Sequence, residues 1–141
     1  MTSITLDHAA RMIAAGTAAA TEIGVAMNIA IVDAGGYLVH FSRMDDAFLG
    51  SIDLALRKAK TAVLFRMPTD ALGAIAGPDG PAYGIESSNG GLISFGGGLP
   101  VVDTDGRTVG AVGVSGGMVD QDVLVAEACV GALAPATRIV G

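Results

Sequence analysis

The chain has one cysteine, Cys129, and no tryptophan. A single thiol excludes an internal disulfide and a cysteine-based zinc site. Cys129 falls with Val123, Ala126 and Val130 at helical spacing, so it reads as a buried structural thiol rather than a nucleophile. Aromatic residues make up only 4% of the chain, so alanine, valine and glycine must fill the interior and backbones must approach closely. Basic residues are also few. Eight Lys+Arg against 14 Asp+Glu give a formal charge of −6, with no basic run to track a phosphate backbone, so nucleic acid is not expected as a partner. No charged segment followed by an apolar one resembles a signal peptide. No apolar run is long enough to span a bilayer. A soluble, cytoplasmic protein without a membrane partner is expected.

What is present is apolar. With 51% hydrophobic and 16% charged residues, the 141-residue chain suits one globular domain, 1–141, with a real core. Thr5 is placed to cap a helix that runs to about Ile23 and stops at Gly24. Leu6, Ala10, Ile13, Thr17 and Ala20 recur at core spacing. The other side carries His8, Met12, Ala15 and Ala19, too little charge for a solvated face, and is expected to meet a second subunit or a ligand.

The stretch "MNIAIVDAGGYLVHFSRMD" (27–45) predicts a β-hairpin about "DAGG". Pairing Val32 with Tyr37 puts Asn28 on one side with Phe41 and Arg43, and His40 on the other with Ile29, Ile31 and Leu38. A one-residue bulge would exchange these faces on one strand. Ser51 can cap a second helix with a core stripe of Ile52, Ala55, Leu56, Ala59 and Val63. Its second stripe is Leu54, Lys58, Thr61 and Phe65. Pro68 ends that pattern, and Thr69 caps a short helix. Strands are predicted at about 91–95, 99–103 and 107–114, then a helix at about 120–133. The order α-β-β-α-α-β-β-β-α is an α+β fold with a five-stranded, mostly antiparallel sheet flanked by helices. Val32-Asp33-x-x-Gly36-x-x-Val39 is echoed by Val102-Asp103-x-x-Gly106-x-x-Val109, which reads as one turn chemistry used twice.

"NGGLISFGGGLP" (89–100) has the glycine content of a phosphate cradle. Such a cradle needs a helix start after the loop, and GxxxxGK[ST] is absent. Tight packing or a bulge is the first reading, and close backbone approach to a flat ligand the second. Two histidines remain. His8, on the unassigned helix face, reads as an exposed or interface residue, or as an axial ligand to a haem iron. His40 reads as a satisfied core histidine or a general base. Arg43, ending its strand, can clamp a carboxylate or pair structurally with Asp45 or Glu86. Glu86 is the carboxylate best placed for proton transfer, in a loop that also offers Asn89, Gly90 and Gly91 as a pocket edge.

The string V-D-A-G-G-x-L-V-x-F-x-R-M-D-x-A from Val32, then K-A-x-T-A from Lys58, then G-G-G-x-P from Gly96, resembles the small haem-binding proteins of the HbpS and GlcG type. The same domain is the C-terminal part of PduO-type proteins. The resemblance runs from Leu6 to about Leu133. It implies a five-stranded sheet with profilin-like layering, assembly into dimers or larger homo-oligomers, and haem or a small organic molecule as ligand. It also implies that the gene sits in a catabolic cluster. A histidine near the N-terminus ligates iron in the PduO-type domain, which points to His8. His40 stands where the family has a plain apolar residue.

Three functions follow. The first is haem or tetrapyrrole binding, with His8 as the iron ligand and Asn28, Arg43, Asp45, Asn89, Gly90 and Gly91 as further ligand-binding residues. The second is a cofactor-independent isomerase, lyase or hydrolase acting on a small carboxylated metabolite, with Glu86 and His40 moving the proton. The third is an accessory or assembly subunit.

Overall fold

The computed structural model describes residues 1–134 and 136–138. Four helices, α1 (Leu6–Ile23), α2 (Gly50–Phe65), α3 (Thr69–Ala76) and α4 (Val119–Gly131), surround strands β1 (Asn28–Asp33), β2 (Leu38–Arg43), β3 (Gly98–Asp103) and β4 (Thr108–Ser115). All the pairings are antiparallel, in the order β2-β1-β4-β3. The α+β class stands, but the sheet has four full strands rather than five. The expected strand at 91–95 is not formed, and only a two-residue segment, Thr137–Arg138, pairs along the outer edge of β3.

Small residues set the layering. On one face α1 and α4 pack on Ile29, Ile31, Val101, Val112 and Val114. On the other, α2 lies on Ala30, Val32 and Ala111. This second approach is close: a Cβ on Gly113 would run into the Ala55 carbonyl and sit 2.5 Å from the Ala59 nitrogen. A chain so poor in large side chains brings helix backbone directly onto sheet backbone.

The face of α1 differs from the one read from spacing. Its buried residues are Ala9, Met12, Ile13, Gly16 and Ala20, while Leu6 is exposed. Met12 thus belongs to the core, because α1 meets two neighbours, the sheet and α4. Gly16 is the contact point, where a side chain would strike Cys129 Sγ. Cys129 is fully buried, and burial pushes its thiol up to about 12. Native protein is therefore expected to resist thiol-specific reagents at neutral pH and to react fully once unfolded. Rapid modification without denaturant would contradict this placement.

The hairpin register places Asn28 opposite Arg43, Ala30 opposite Phe41 and Ile31 opposite His40. The register then shifts and Val32 pairs with Leu38, not Tyr37, so Val39 is the extra residue of a bulge. Asn28, Phe41 and Arg43 share the face expected for them, and His40 shares the face of Ile31. Leu38 moves to the face of Val32. Two helix starts also differ. Leu49, not Ser51, is the N-cap of α2, and Pro68 precedes α3. Thr69 Oγ1 instead accepts from the Gly98 amide at 2.9 Å, tying α3 to β3.

The sequence echo is one turn built twice. Asp33 Oδ1 accepts from the amides of Gly35 and Tyr37, and Asp103 Oδ1 from those of Asp105 and Arg107. Gly36 and Gly106 take φ of 85° and 83°. Because β1 and β4 are neighbours, both turns lie at the same end of the sheet.

Candidate functional site

Residues 89–93 would need extended backbone to form a strand. Asn89, Gly90 and Gly91 instead take φ of 52°, 74° and 108°, all left-handed. Side chains of α2 hold the segment in that shape. Arg57 Nη1 donates to the carbonyls of Gly90 and Gly91 while Arg57 Nε pairs with Asp53 Oδ2 at 2.8 Å. Thr61 Oγ1 donates to the Arg57 carbonyl at 2.7 Å and accepts from the Ile93 amide at 3.1 Å. The loop is thus stapled along α2 and opens a cavity of about 220 Å3. Leu56, Arg57 and Lys60 line one side, and Asn89, Gly90 and Gly91 the other.

The next glycines wrap a buried charge. Lys58 is wholly buried; its Nζ donates to the Val114 carbonyl at 2.8 Å and to Asp122 Oδ2 at 3.0 Å. The Phe95 ring lies over it, centroid 5.1 Å from Nζ. Gly97, at φ 127°, leaves no room for a side chain: a Cβ would sit 2.6 Å from Lys58 Nζ. Asp122 Oδ1 accepts from the Gly117 amide at 2.9 Å. Burial lowers the Lys58 pKa, against the pull of the Asp122 hydrogen bond, and burial raises that of Asp122. Both shifts run toward the neutral forms, so desolvation outweighs the attraction between the partners. The glycine-rich stretch therefore closes over an ion pair that joins α2 to α4.

The remaining candidate residues are dispersed. Asn28 is wholly buried; its Nδ2 donates to the Phe48 carbonyl at 3.1 Å, and its Oδ1 has no partner among the described residues. Arg43, across from it, and Asp45 are exposed. Among the described residues Arg43 makes no ion pair, so neither structural pairing considered for it is formed. Glu86 sits in a short 3-10 turn, Ile85–Ser87, where its Oε2 accepts from Ser94 Oγ at 2.6 Å. His40 shares the face of Ile31, under α1, whereas Glu86 belongs to the loop on the α2 side, so the structure does not assemble them as an acid–base pair.

His8 closes a capping box. Its Nδ1 accepts from the Thr5 amide at 3.1 Å, and its own amide donates to Thr5 Oγ1 at 3.2 Å. A neutral ring with Nδ1 as acceptor carries its proton on Nε2. The ring is half-buried. Among the described residues no three His, Cys, Asp or Glu side chains converge as a metal site. No helix of these residues is long and apolar enough to cross a membrane.

The spacing placed Lys58 only on the second stripe of α2 and gave Arg57 no role. The signal was present: a lysine within the apolar stripe Leu54, Lys58, Thr61, Phe65 requires a buried carboxylate partner.

The family model described as haem degrading protein HbpS-like matches residues 4–131. The chain belongs to the HbpS-like family. This HbpS-like chain is similar to an uncharacterized 15.0 kDa protein of the dhaT-dhaS intergenic region of Citrobacter freundii, with 44% identity over 126 residues, 89% of this chain and 88% of that protein. It is also similar to the corrinoid adenosyltransferase PduO of Citrobacter freundii, 36% identical over 132 residues, and there it spans 93% of this chain but only 39% of the relative. A solved complex of PduOC with haem superposes with a TM-score of 0.91 at 32% identity, covering 99% of each chain.

Proposed function

We propose that this HbpS-like chain binds haem or a closely related tetrapyrrole, and that like subunits assemble to enclose it. The observation that carries this reading is the haem-bound relative, which matches the fold over 99% of both chains. Features of this chain fit such a ligand. A macrocycle supplies four of its iron's ligands itself, so one protein imidazole suffices and a cluster of metal-binding side chains is not needed. His8 would provide that imidazole through Nε2. Ligation through Nε2 puts the ring proton on Nδ1, which gives up the bond from the Thr5 amide, a cap contact worth about 1 kcal/mol. Arg11, one turn on, is held only by an exposed pair with Asp7 at 3.3 Å, a contact weak enough to yield to an anionic substituent.

The need for a second copy follows from size and surface. Ligand cavities for molecules of this class enclose roughly 300–1,000 Å3 and bury most of the ligand. Neither the cavity of about 220 Å3 beside Arg57 nor one of about 480 Å3 at the turn end of the sheet is lined by His8, so a site at His8 needs walls from elsewhere. Meanwhile Leu6, Phe48, Leu49 and Met118 are exposed large apolar side chains, and contact between subunits or with a macrocycle would cover them. Haem, when bound, would supply redox-active iron. The chain's part would be to ligate, orient and shield it from water.

His8→Ala separates ligation from general affinity. Wild-type protein is expected to give a saturable Soret shift with haemin, and His8→Ala to lose the shift while keeping its far-UV circular dichroism. An unchanged Soret spectrum in His8→Ala would remove this residue as the ligand.

A further inference from the structure

A second cavity lies at the turn end of the sheet, below the C-terminus of α2, on the face opposite α1 and His8. It encloses about 480 Å3 between Ala34 of one turn, Gly106, Arg107 and Thr108 of the other, and Val63 and Arg66 of α2. The chain has only eight Lys+Arg and a formal charge of −6, yet two arginines, both exposed, and no acidic residue line this cavity. Among the described residues neither arginine makes an ion pair; the pairs formed are Asp7–Arg11, Asp53–Arg57 and Lys58–Asp122. Asp33 and Asp103 each give Oδ1 to two backbone amides, and the Asp103 charge also acts on Arg107. Asp105, exposed at the tip of the second turn, is the remaining acid of these turns.

Arg66 is also in an unusual conformation. It is the C-cap of α2 with φ 55°, a left-handed position where glycine is the residue without strain. A non-glycine residue there carries backbone strain. The C-terminus of α2 contributes roughly half an elementary negative charge there, which two full positive charges exceed. Val63 adds an apolar wall, touching the second glycine of the first turn at 3.4 Å were that glycine to carry a Cβ. Two arginines lining one cavity with a valine and a threonine suit a small anion with a carbon body.

We propose that this cavity binds a small organic anion, its carboxylate or phosphate group held between Arg66 and Arg107. The site is independent of haem. The test is a backbone-amide NMR titration of the whole haem-free chain with succinate and, separately, with inorganic phosphate. Saturable shifts are expected at Ala34, Gly106, Arg107 and Thr108. Saturation by phosphate alone assigns a phosphate group, and saturation by succinate assigns a carboxylate. Arg66→Gln and Arg107→Gln are each expected to weaken binding about tenfold or more. Arg66→Gly should weaken it as much while raising Tm, because the left-handed strain is relieved. Absence of saturable shifts with both probes, or affinities unchanged in both glutamine variants, would overturn the proposal.

Discussion

Asp122→Ala is expected to lower the unfolding free energy by about 3–5 kcal/mol, the cost of leaving a buried charge without its partner. Lys58 is 0% exposed on its side chain and Asp122 4%, so water cannot replace the lost carboxylate. The Val114 carbonyl and the Phe95 ring would remain as the ammonium's neighbours. Lys58→Met should also destabilise, and less so where Asp122, whose pKa burial already raises, takes up a proton. The sign of the pH effect follows. With Lys58 gone, Asp122 holds a proton more tightly folded than unfolded, so Lys58→Met should gain stability as pH falls toward the carboxyl range and lose it as pH rises through the raised folded pKa. Lys58→Met with Asp122→Leu together should be close to neutral, since both desolvation costs disappear. Urea unfolding at several pH values checks all three. A loss under about 1 kcal/mol for Asp122→Ala would show that the pair is solvated.

Gly113→Ala is expected to destabilise by about 3 kcal/mol, at the upper end for an overfilled site. The added methyl would meet the Ala55 carbonyl and the Ala59 nitrogen, both backbone atoms of α2, with no flexible side chain to move aside. Relief would require lifting α2 from Ala30, Ala111 and Val32. Gly131→Ala is the control. A Cβ there meets nothing within 4 Å, and alanine near a helix end should be neutral or stabilising by up to about 1 kcal/mol. Thermal unfolding of the two variants should therefore move Tm in different directions or by very different amounts. Equal Tm values would mean that α2 does not lie directly on the sheet.

The elements with strong periodicity were legible from the residues. Helices α1, α2 and α4 and the two Asp-Gly turns fall where spacing and turn chemistry place them. The segment at 91–95 was not legible, because its β-like composition competes with tertiary bonds from Arg57 and Thr61 that no local pattern displays. Met12 misled for a related reason: one helix serves two neighbours, so its buried arc is wider than a single stripe. At the candidate site, spacing brought Asn89, Gly90 and Gly91 to a cavity rim, but Asn28, Arg43, Glu86 and His40 lie apart from it. Proximity between distant segments depends on sheet order, and a single sequence does not encode that order in any local signal.

Uptake of a tetrapyrrole by this chain can be observed directly. Titration of the purified wild-type protein with haemin, followed at the Soret band, tests it most directly. A shifted band that saturates at a fixed ratio of haem to protein is expected, with haem and protein eluting together from a sizing column as an assembly larger than one chain. A band that stays at the position of free haemin and grows linearly without saturation would contradict it.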